Sequence, residues 1–292
     1  MRLHRRHVLA ALAAGLCTPG AVLAEPQEPR WIREDYAAAR RGFETRLLRR
    51  GPAPGDAPPL EAPPGVRAIS YRSDGLDLVA WVSQTGDPAR LRPGILVLHG
   101  GNALWPGHWD IARPFAEAGF VALMPAVRAE NGLPGAFSGF YDETADVVAA
   151  AETLRALPGV DPARLFVAGH SVGGTLTLLA ALASPLFRGA ASFSGNPDAA
   201  AFFRHFTEDL RFDPGRPAEF EMRSAACFAA NFRCPVLMLR AGTETRSDAA
   251  NRLTVSRAAS AGLRVERGVI EGDHSSALPG EIVESLRFFA AL

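Results

Sequence analysis

Short apolar runs that alternate with helix-length segments constrain the fold of this chain more than any other feature. The runs GILVLHG, FVALMPAV and LFVAGH are almost continuously apolar, and each is followed by a segment long enough for a helix. Strands with this composition are buried on both faces, as in a parallel sheet whose crossover helices cover both sides. The pattern predicts an α/β fold built on such a sheet.

An antiparallel hairpin is expected at the N-terminal edge of that sheet. The runs VRAISYRS and LDLVAWVSQ are joined by Asp74 and Gly75. An Asp-Gly pair between two strand-like runs is a strong signal for a tight turn. The predicted fold class is therefore α/β, with a doubly wound, mostly parallel eight-stranded sheet and an antiparallel N-terminal hairpin.

Residues 1–24 have the composition of an export signal. Arg5 and Arg6 lie in a basic start, a short apolar stretch follows, and small residues up to Ala24 precede Glu25. The apolar stretch is too short to span a bilayer. The arginine pair resembles a twin-arginine signal, and ordinary secretory export is the alternative. We therefore expect an exported protein, either periplasmic or secreted.

Two further parts follow the signal. Residues 25–65 contain a predicted helix over 31–51, where apolar side chains have helical spacing, and a Pro-rich stretch over 52–65 that predicts an extended connector. Residues 66–292 form the predicted catalytic domain. Hydrophobic residues make up 48% of the chain, which is ample for the core of one large domain.

Composition limits the partners and cofactors. The chain has 31 basic residues, all of them arginine, and 31 acidic residues; without residues 1–24 its net charge is about −3. Without a basic stripe, nucleic acid is not an expected partner, and nothing favours stable membrane insertion of the mature chain. Cys227 and Cys234 fit either a disulfide or two buried thiols, and their spacing is a poor zinc pattern. We expect no metal and no cofactor, and the oligomeric state stays open.

The stretch Gly169-His170-Ser171-Val172-Gly173 suggests a nucleophilic serine. It follows a buried strand and opens a helical pattern, which is the placement of a nucleophile elbow. The flanking glycines allow a tight turn that lifts the serine hydroxyl above the sheet at a helix N-terminus. The alternative is a glycine-rich packing turn.

A serine nucleophile needs a base and an acid that orients the base. His274 follows the last predicted strand, so a loop at the carboxyl end of the sheet can bring it to Ser171. The loop after PVLMLRA offers Glu244 as the favoured acid and Asp248 as the alternative, because Asp248 is also placed to cap the next helix. Asp273 is expected to be a solvated turn residue.

The oxyanion of the reaction needs backbone donors. The N–H of Val172, directly after Ser171, is the first candidate. The second comes from the sequence HGGN, where Gly101 is favoured and Asn102 is the alternative. His99, at the start of the same stretch, fits a role in holding the loop.

Three residues are candidates for substrate binding. Trp105 and His108 follow the predicted oxyanion loop, and Arg128 follows the next strand. The aromatic residues suggest an apolar acyl or aryl pocket, or else loop packing. Arg128 is suited to a substrate carboxylate, or to pairing with Glu130 or Glu143.

Taken together, these motifs resemble the α/β-hydrolase superfamily over residues 66–292. The similarity is to the group that contains the prolyl oligopeptidase catalytic domain and dienelactone hydrolase. The phrase LPGVDPARLFVAGHS is its most specific part, and LVLHGG, CPVLML and GDH add to it. The resemblance implies a serine hydrolase that works through a Ser-His-acid triad.

The sequence departs from this group at two positions. Dienelactone hydrolases usually have a cysteine nucleophile, and here the position is Ser171. The acid of the group is usually an aspartate three residues after the loop glycine, and here that position is Thr245. Large oligopeptidases also carry an N-terminal β-propeller, and residues 25–65 are too few for one.

The expected function is hydrolysis of carboxylic esters by a serine hydrolase through an acyl-enzyme. The first alternative is a serine peptidase that uses the same residues on short peptides. The second alternative is a catalytically silent hydrolase fold that serves as a binding protein, for which Thr245 is the only support.

Overall fold

The central feature of the computed structural model, which describes residues 28–292, is one eight-stranded sheet. The predicted signal, residues 1–24, lies outside the described residues. The strands are β1 (Arg67–Ser73), β2 (Leu76–Val82), β3 (Arg92–Leu98), β4 (Val121–Pro125), β5 (Val160–His170), β6 (Gly189–Phe193), β7 (Val236–Ala241) and β8 (Val265–Ile270).

The order of the strands is β1-β2-β4-β3-β5-β6-β7-β8. β1 pairs with β2 and β2 with β4 in antiparallel fashion, and all the other pairs are parallel. Asp74 (φ 47°) and Gly75 (φ 81°) form the turn of the hairpin, and both have the positive φ that a tight hairpin turn requires. The predicted sheet and its N-terminal hairpin are confirmed.

Helices cover both faces of the sheet. They are α1 (Tyr36–Gly42), α2 (Trp109–Glu117), α3 (Tyr141–Ala156), α4 (Val172–Ala183), α5 (Ala199–His205), α6 (Pro217–Glu221), α7 (Asp248–Ser260) and α8 (Leu278–Ala290). None of the helices in residues 28–292 is both long enough and apolar enough to cross a bilayer.

Alternate residues of the central strands enter two separate cores. In β3, Leu96 and Leu98 belong to the core on the α3 and α4 side, whereas Ile95 and Val97 belong to the core on the α2 and α8 side. Successive side chains of a strand point to opposite faces. The continuous apolar runs of the sequence are therefore explained by burial on both faces.

The N-terminal helix is shorter than predicted. It ends at Gly42, Phe43 is extended, and Leu47 pairs with Phe212 in an isolated bridge. The buried carboxylate of Glu219 accepts hydrogen bonds from the Arg46 N–H and the Thr45 hydroxyl. These tertiary contacts hold the chain out of the helical conformation that its apolar spacing predicted.

Arg128 lies in the core rather than at a substrate site, which corrects the expectation from the sequence. It donates to the fully buried Asp146 through its backbone N–H, Nε and Nη2, and to Asp74 through Nη2. Its partners are thus neither of the two glutamates considered above. The burial of the pair and its three-point contact give Arg128 a structural role.

Replacing Arg128 by methionine should lower the free energy of unfolding by about 3–5 kcal/mol, because the buried Asp146 would lose its charge partner. Urea unfolding at pH 7 measures this difference. The double variant with Asp146→Leu should recover much of the loss, since both charges are then removed. A single variant as stable as the wild type would show that the pair contributes nothing.

Candidate active site

Ser171 lies at a sharp turn between β5 and α4. Its backbone has φ 57° and ψ −117°, a conformation that costs a non-glycine residue about 1–3 kcal/mol. The Ser171 N–H donates to Phe193 O at 2.8 Å, and its carbonyl accepts from Thr175 N at 3.0 Å. The turn is therefore held from both sides in the strained geometry of a nucleophile elbow.

The two glycines of the elbow are required by close packing. A Cβ at Gly169 would clash with the carbonyl oxygen of Gly173, and a Cβ at Gly173 would clash with the carbonyl oxygen of Leu98. The start of α4 thus lies against the end of β3. This contact places Ser171 beside the loop that follows β3.

His274 lies in the loop between β8 and α8, and its Nδ1 is 2.7 Å from Glu244 Oε1. The distance is that of a hydrogen bond, but the oxygen lies off the direction in which the ring N–H points. Catalytic hydrogen bonds often tighten only when substrate is bound.

Asp248, the alternative acid, is engaged elsewhere. It is the first residue of α7, and its carboxylate pairs with Arg240, Arg252 and Arg267. Of the two carboxylates considered from the sequence, the structure brings Glu244 to His274 and leaves Asp248 among arginines.

Asp273, next to His274, accepts from the backbone N–H groups of Ser275 and Ser276. Its carboxylate therefore stabilises the turn that carries His274. Hydrogen bonds to Ser276 and Ser275 hold the pKa of this carboxyl below its usual value.

Ser171 and His274 line two adjacent clefts. The acid-side cleft has a volume of about 460 Å³ and the oxyanion-side cleft about 390 Å³. The other residues that line the acid-side cleft are Thr175, Ser194, Asn196, Phe202, His205, Phe206, Thr243, Glu244, Thr245, Arg246, Ser247 and Asp273. Those of the oxyanion-side cleft are Pro54, Gly55, Asp56, Gly100, Gly101, Asn102, Ala103, Trp105, His108 and His170.

Of the candidate oxyanion donors, Gly101 and Asn102 line the oxyanion-side cleft, and Val172 directly follows Ser171 at its border. Val172 is the first residue of α4, so its N–H has no acceptor within the helix. Gly101 lines the cleft with φ 72°, a conformation that favours glycine. Asn102 lines it too, with its side-chain amide donating to Asp209 at 3.2 Å.

His99 holds the loop that carries Gly101. Its ring is buried, with Nε2 3.1 Å from Glu130, and it stacks on His108 with the ring centroids 5.0 Å apart. Burial lowers the pKa of His99, but the charge and hydrogen bond of Glu130 outweigh this and raise it overall. The two substrate candidates of this loop, Trp105 and His108, do line the oxyanion-side cleft.

Three features of the site were not predicted from the sequence. The connector contributes a wall of the oxyanion-side cleft at residues 54–56, Glu281 of α8 is buried behind the acid-side cleft, and His170 contacts the loop of His274. The position of His170 directly before Ser171 was the only available signal. Nothing in the sequence indicated the other two.

His170 joins the elbow to the histidine loop. Its Nε2 lies 2.8 Å from the carbonyl oxygen of His274, and the two rings pack with their centroids 4.5 Å apart. A carbonyl only accepts, so His170 Nε2 carries the proton and donates. Burial lowers the pKa of His170, which favours the neutral ring with Nδ1 unprotonated.

Replacing His170 by phenylalanine should lower kcat about tenfold with little change in KM, because the ring is kept but the donor that positions His274 is lost. His170→Gln, whose amide can donate to the same carbonyl, should restore most of the rate. Steady-state ester kinetics give the two parameters. Equal losses in both variants would argue against positioning by this hydrogen bond.

Glu281 is a buried carboxyl beside the site. Burial raises its pKa to about 7; a hydrogen bond from Ser194 opposes the rise, and the charge of Glu244 adds to it. Its second oxygen has no hydrogen-bond partner among residues 28–292. In the folded protein this group thus holds its proton to a higher pH than in the unfolded chain.

Because of the Glu281 carboxyl, the free energy of unfolding should fall as the pH rises. Between about pH 4.5 and 7 the unfolded chain releases the Glu281 proton while the folded protein retains it, which favours unfolding. Well above pH 7 the folded protein has also released this proton, so the free energy of unfolding falls no further. The free energy of unfolding of Glu281→Gln should therefore rise by about 3 kcal/mol relative to that of the wild type on going from pH 4.5 to pH 8. Urea unfolding curves of both proteins at pH 4.5 and pH 8 test this. A difference in the free energy of unfolding between variant and wild type that is the same at both pH values would contradict it.

The model of the prolyl oligopeptidase family (Peptidase_S9) matches residues 111–260, just over half of the chain. The chain belongs to the prolyl oligopeptidase family. The matched range includes Ser171 and Glu244. Gly101 and His274 lie outside it. A comparison with curated proteins found no match.

Solved structures support the α/β-hydrolase fold of this family. Dipeptidyl peptidase 4 of Porphyromonas gingivalis is similar with a TM-score of 0.67 and 20% identity, over 77% of this chain and 35% of that chain. A puromycin-hydrolysing peptidase of Mycobacterium tuberculosis is similar with a TM-score of 0.67 and 22% identity, over 78% of this chain and 40% of that chain. Esterase 2 of Thermogutta terrifontis is similar with a TM-score of 0.63 and 21% identity, over 78% of this chain and 95% of that chain.

These likenesses differ in how much of the other protein they cover. The chain spans only 35–41% of the length of the first peptidases that it resembles. The matching family is one of serine hydrolases. The neighbours include both peptidases and an esterase, so family membership does not decide between peptide and ester bonds.

Proposed function

We propose that the protein hydrolyses carboxylic esters of small molecules, with Ser171 as nucleophile, His274 as the proton carrier and Glu244 as the residue that orients His274. One observation carries the proposal: a strained serine at a strand-to-helix turn shares a cleft with a histidine whose Nδ1 lies 2.7 Å from a carboxylate oxygen. Nucleophilic catalysis by serine requires these three groups in this relation.

The proposed reaction has two halves. Ser171 Oγ attacks the carbonyl carbon while His274 takes its proton, and the N–H groups of Val172 and Gly101 donate to the oxyanion. His274 then protonates the leaving alcohol as the C–O bond breaks, which leaves an acyl group on Ser171. Water, deprotonated by His274, attacks this acyl group, and the acid is released with the serine restored.

Two structural neighbours that are named as hydrolases of ester bonds support esters as substrates. The chain covers 95% of an esterase and 99% of a putative dienelactone hydrolase from Klebsiella pneumoniae, but only 35–41% of several of the peptidases. The nucleophile Ser171 in place of cysteine argues against dienelactone hydrolase activity itself. A serine peptidase acting on short peptides remains the second candidate, because the matching family is one of peptidases.

A matched panel of esters and amides tests the proposal. The protein is incubated with p-nitrophenyl esters and with p-nitroanilides that carry the same acyl groups, and labelling by a fluorophosphonate probe is measured in parallel. We expect labelling, together with ester turnover well above amide turnover. Faster turnover of aminoacyl anilides would favour the peptidase, and a folded protein that neither labels nor turns over would favour a binding protein.

We also propose that the protein is exported to the periplasm or secreted. The support is the sequence of residues 1–24, with Arg5 and Arg6 before a short apolar stretch. Fractionation of the expressing cell, with mass spectrometry of the N-terminus, tests this. Replacing both arginines by lysine should block export if the twin-arginine route is used.

A further inference from the structure

A third depression lies between α2 and α8, and we call it the α2–α8 groove. Its volume is about 590 Å³. Most of its lining is apolar, and the apolar side chains are Ile111, Pro114, Leu278, Pro279, Ile282, Val283 and Leu286. Val283 is 46% exposed, so the apolar surface is open to solvent. An open apolar groove of this kind suits an aliphatic ligand.

The groove adjoins the candidate active site. His108 and His170 line both the oxyanion-side cleft and the groove, and Ser275, which directly follows His274, lines the groove as well. Ser171 borders the oxyanion-side cleft. The two histidines therefore form the shared border that a chain of a substrate bound at Ser171 would cross to reach the groove.

The entrance to the groove is uncharged near neutral pH. Burial lowers the pKa of His108 to about 4, with the neighbouring His99 and His170 adding to the effect, and burial lowers the pKa of His170 as well. The one acidic side chain of the groove, Asp110, is exposed and pairs with Arg113. An apolar chain would therefore not have to displace the water of a charged group at the entrance.

We propose that the α2–α8 groove binds an unbranched aliphatic chain of the ester substrate, which makes esters with medium-length chains the preferred substrates. The proposal rests on the proposed function, because it needs the ester carbonyl at Ser171. It adds the chemical class of the substrate, which neither the family nor the triad specifies.

The expected chain-length effect can be estimated. Full burial of one methylene is worth about 0.8 kcal/mol, or roughly a fourfold change in kcat/KM. A groove that is open on one side buries about half of each methylene, so we expect roughly a twofold gain per methylene. Going from a four-carbon to an eight-carbon chain should then raise kcat/KM roughly 15-fold.

The experiment measures the ratio of kcat/KM for eight-carbon and four-carbon chains in two series. One series varies the acyl chain of p-nitrophenyl esters, and the other varies the alcohol chain of butyrate esters. Val283→Asp places a charge on the exposed wall of the groove, and Leu91→Asp is the matched control. Leu91 is 54% exposed and precedes β3, at the end of the strand away from the site.

We expect the ratio to be high in at least one series and to fall about tenfold in Val283→Asp but not in Leu91→Asp. The ratio does not depend on the folded fraction, so partial misfolding does not imitate this result. A ratio near one in both series, or a high ratio that Val283→Asp leaves unchanged, would overturn the proposal.

Inhibition by a free product gives a second readout. If the acyl chain occupies the groove, octanoate should inhibit turnover of the butyrate ester more strongly than butyrate does. If the alcohol chain occupies it, octanol should inhibit more strongly than butanol does. In either case Val283→Asp should remove the difference between the long and the short inhibitor.

The proposed function itself fails if short-chain esters are not hydrolysed and Ser171 is not labelled. If short-chain esters are hydrolysed and chain length has no effect, only the present proposal fails.

Discussion

Ser171→Ala should abolish ester turnover, with kcat falling by roughly 10⁴ to 10⁶, because alanine offers no oxygen to form the acyl-enzyme. Any residual rate would come from the oxyanion donors and from substrate binding. Labelling by a fluorophosphonate probe should disappear as well. The fold should persist, since Ser171 contacts its neighbours mainly through its backbone N–H and carbonyl.

The control for this variant is Ser256→Ala, an exposed serine on α7 that lines neither cleft. This variant should be labelled by the probe and should hydrolyse the ester as the wild type does. Circular dichroism and thermal unfolding establish that both variants are folded. Labelling that persists in Ser171→Ala would place the nucleophile elsewhere, with Ser194 as the next serine of the acid-side cleft to test.

Glu244→Gln should lower kcat roughly 10² to 10⁴-fold, whereas Asp248→Asn should change it by no more than a few fold. The amide keeps the size of the side chain but cannot stabilise the imidazolium that forms on His274, and it permits the wrong ring tautomer. Asp248 contacts arginines and not His274, so its loss should act on stability. Steady-state kinetics on one ester, with the melting temperature of each variant, separate the two effects.

The two carboxylates are four residues apart, so each variant is the control for the other. A larger loss in Asp248→Asn than in Glu244→Gln would reverse the assignment. Equal and small losses would mean that His274 works without an orienting carboxylate. Glu244→Asp is a further check, because the shorter side chain should restore part of the rate only if the loop can move closer to His274.

Much of the fold could be read from local patterns. Burial on both faces makes a strand continuously apolar, and the Asp74-Gly75 pair marks the hairpin because both residues take positive φ. The elbow was also predictable, since Gly169 and Gly173 are dictated by close backbone packing around Ser171. In each case a local sequence requirement has one structural solution.

The predictions that failed concern residues whose partners are distant in the chain. Helical spacing over residues 31–51 was overridden after Gly42 by hydrogen bonds to Glu219, more than 170 residues away. Arg128 was considered for substrate and is held by Asp146 and Asp74. The role of a charged side chain depends on what it meets after folding, and sequence spacing does not report this.

The sequence by itself determined the α/β architecture, the hairpin and the position of Ser171 at a strand-to-helix turn, because periodicity and glycine placement are local properties of the chain. Only the tertiary structure decided which carboxylate lies beside His274. It also decided that residues 54–56 of the connector form one wall of the oxyanion-side cleft, and that an apolar groove adjoins this cleft. Glu244 lies in the loop before α7 and Asp248 is the first residue of α7, so the two carboxylates are close in the sequence and similar in chemistry. Arg240 of β7 and Arg267 of β8 pair with Asp248, and Glu244 is left facing His274.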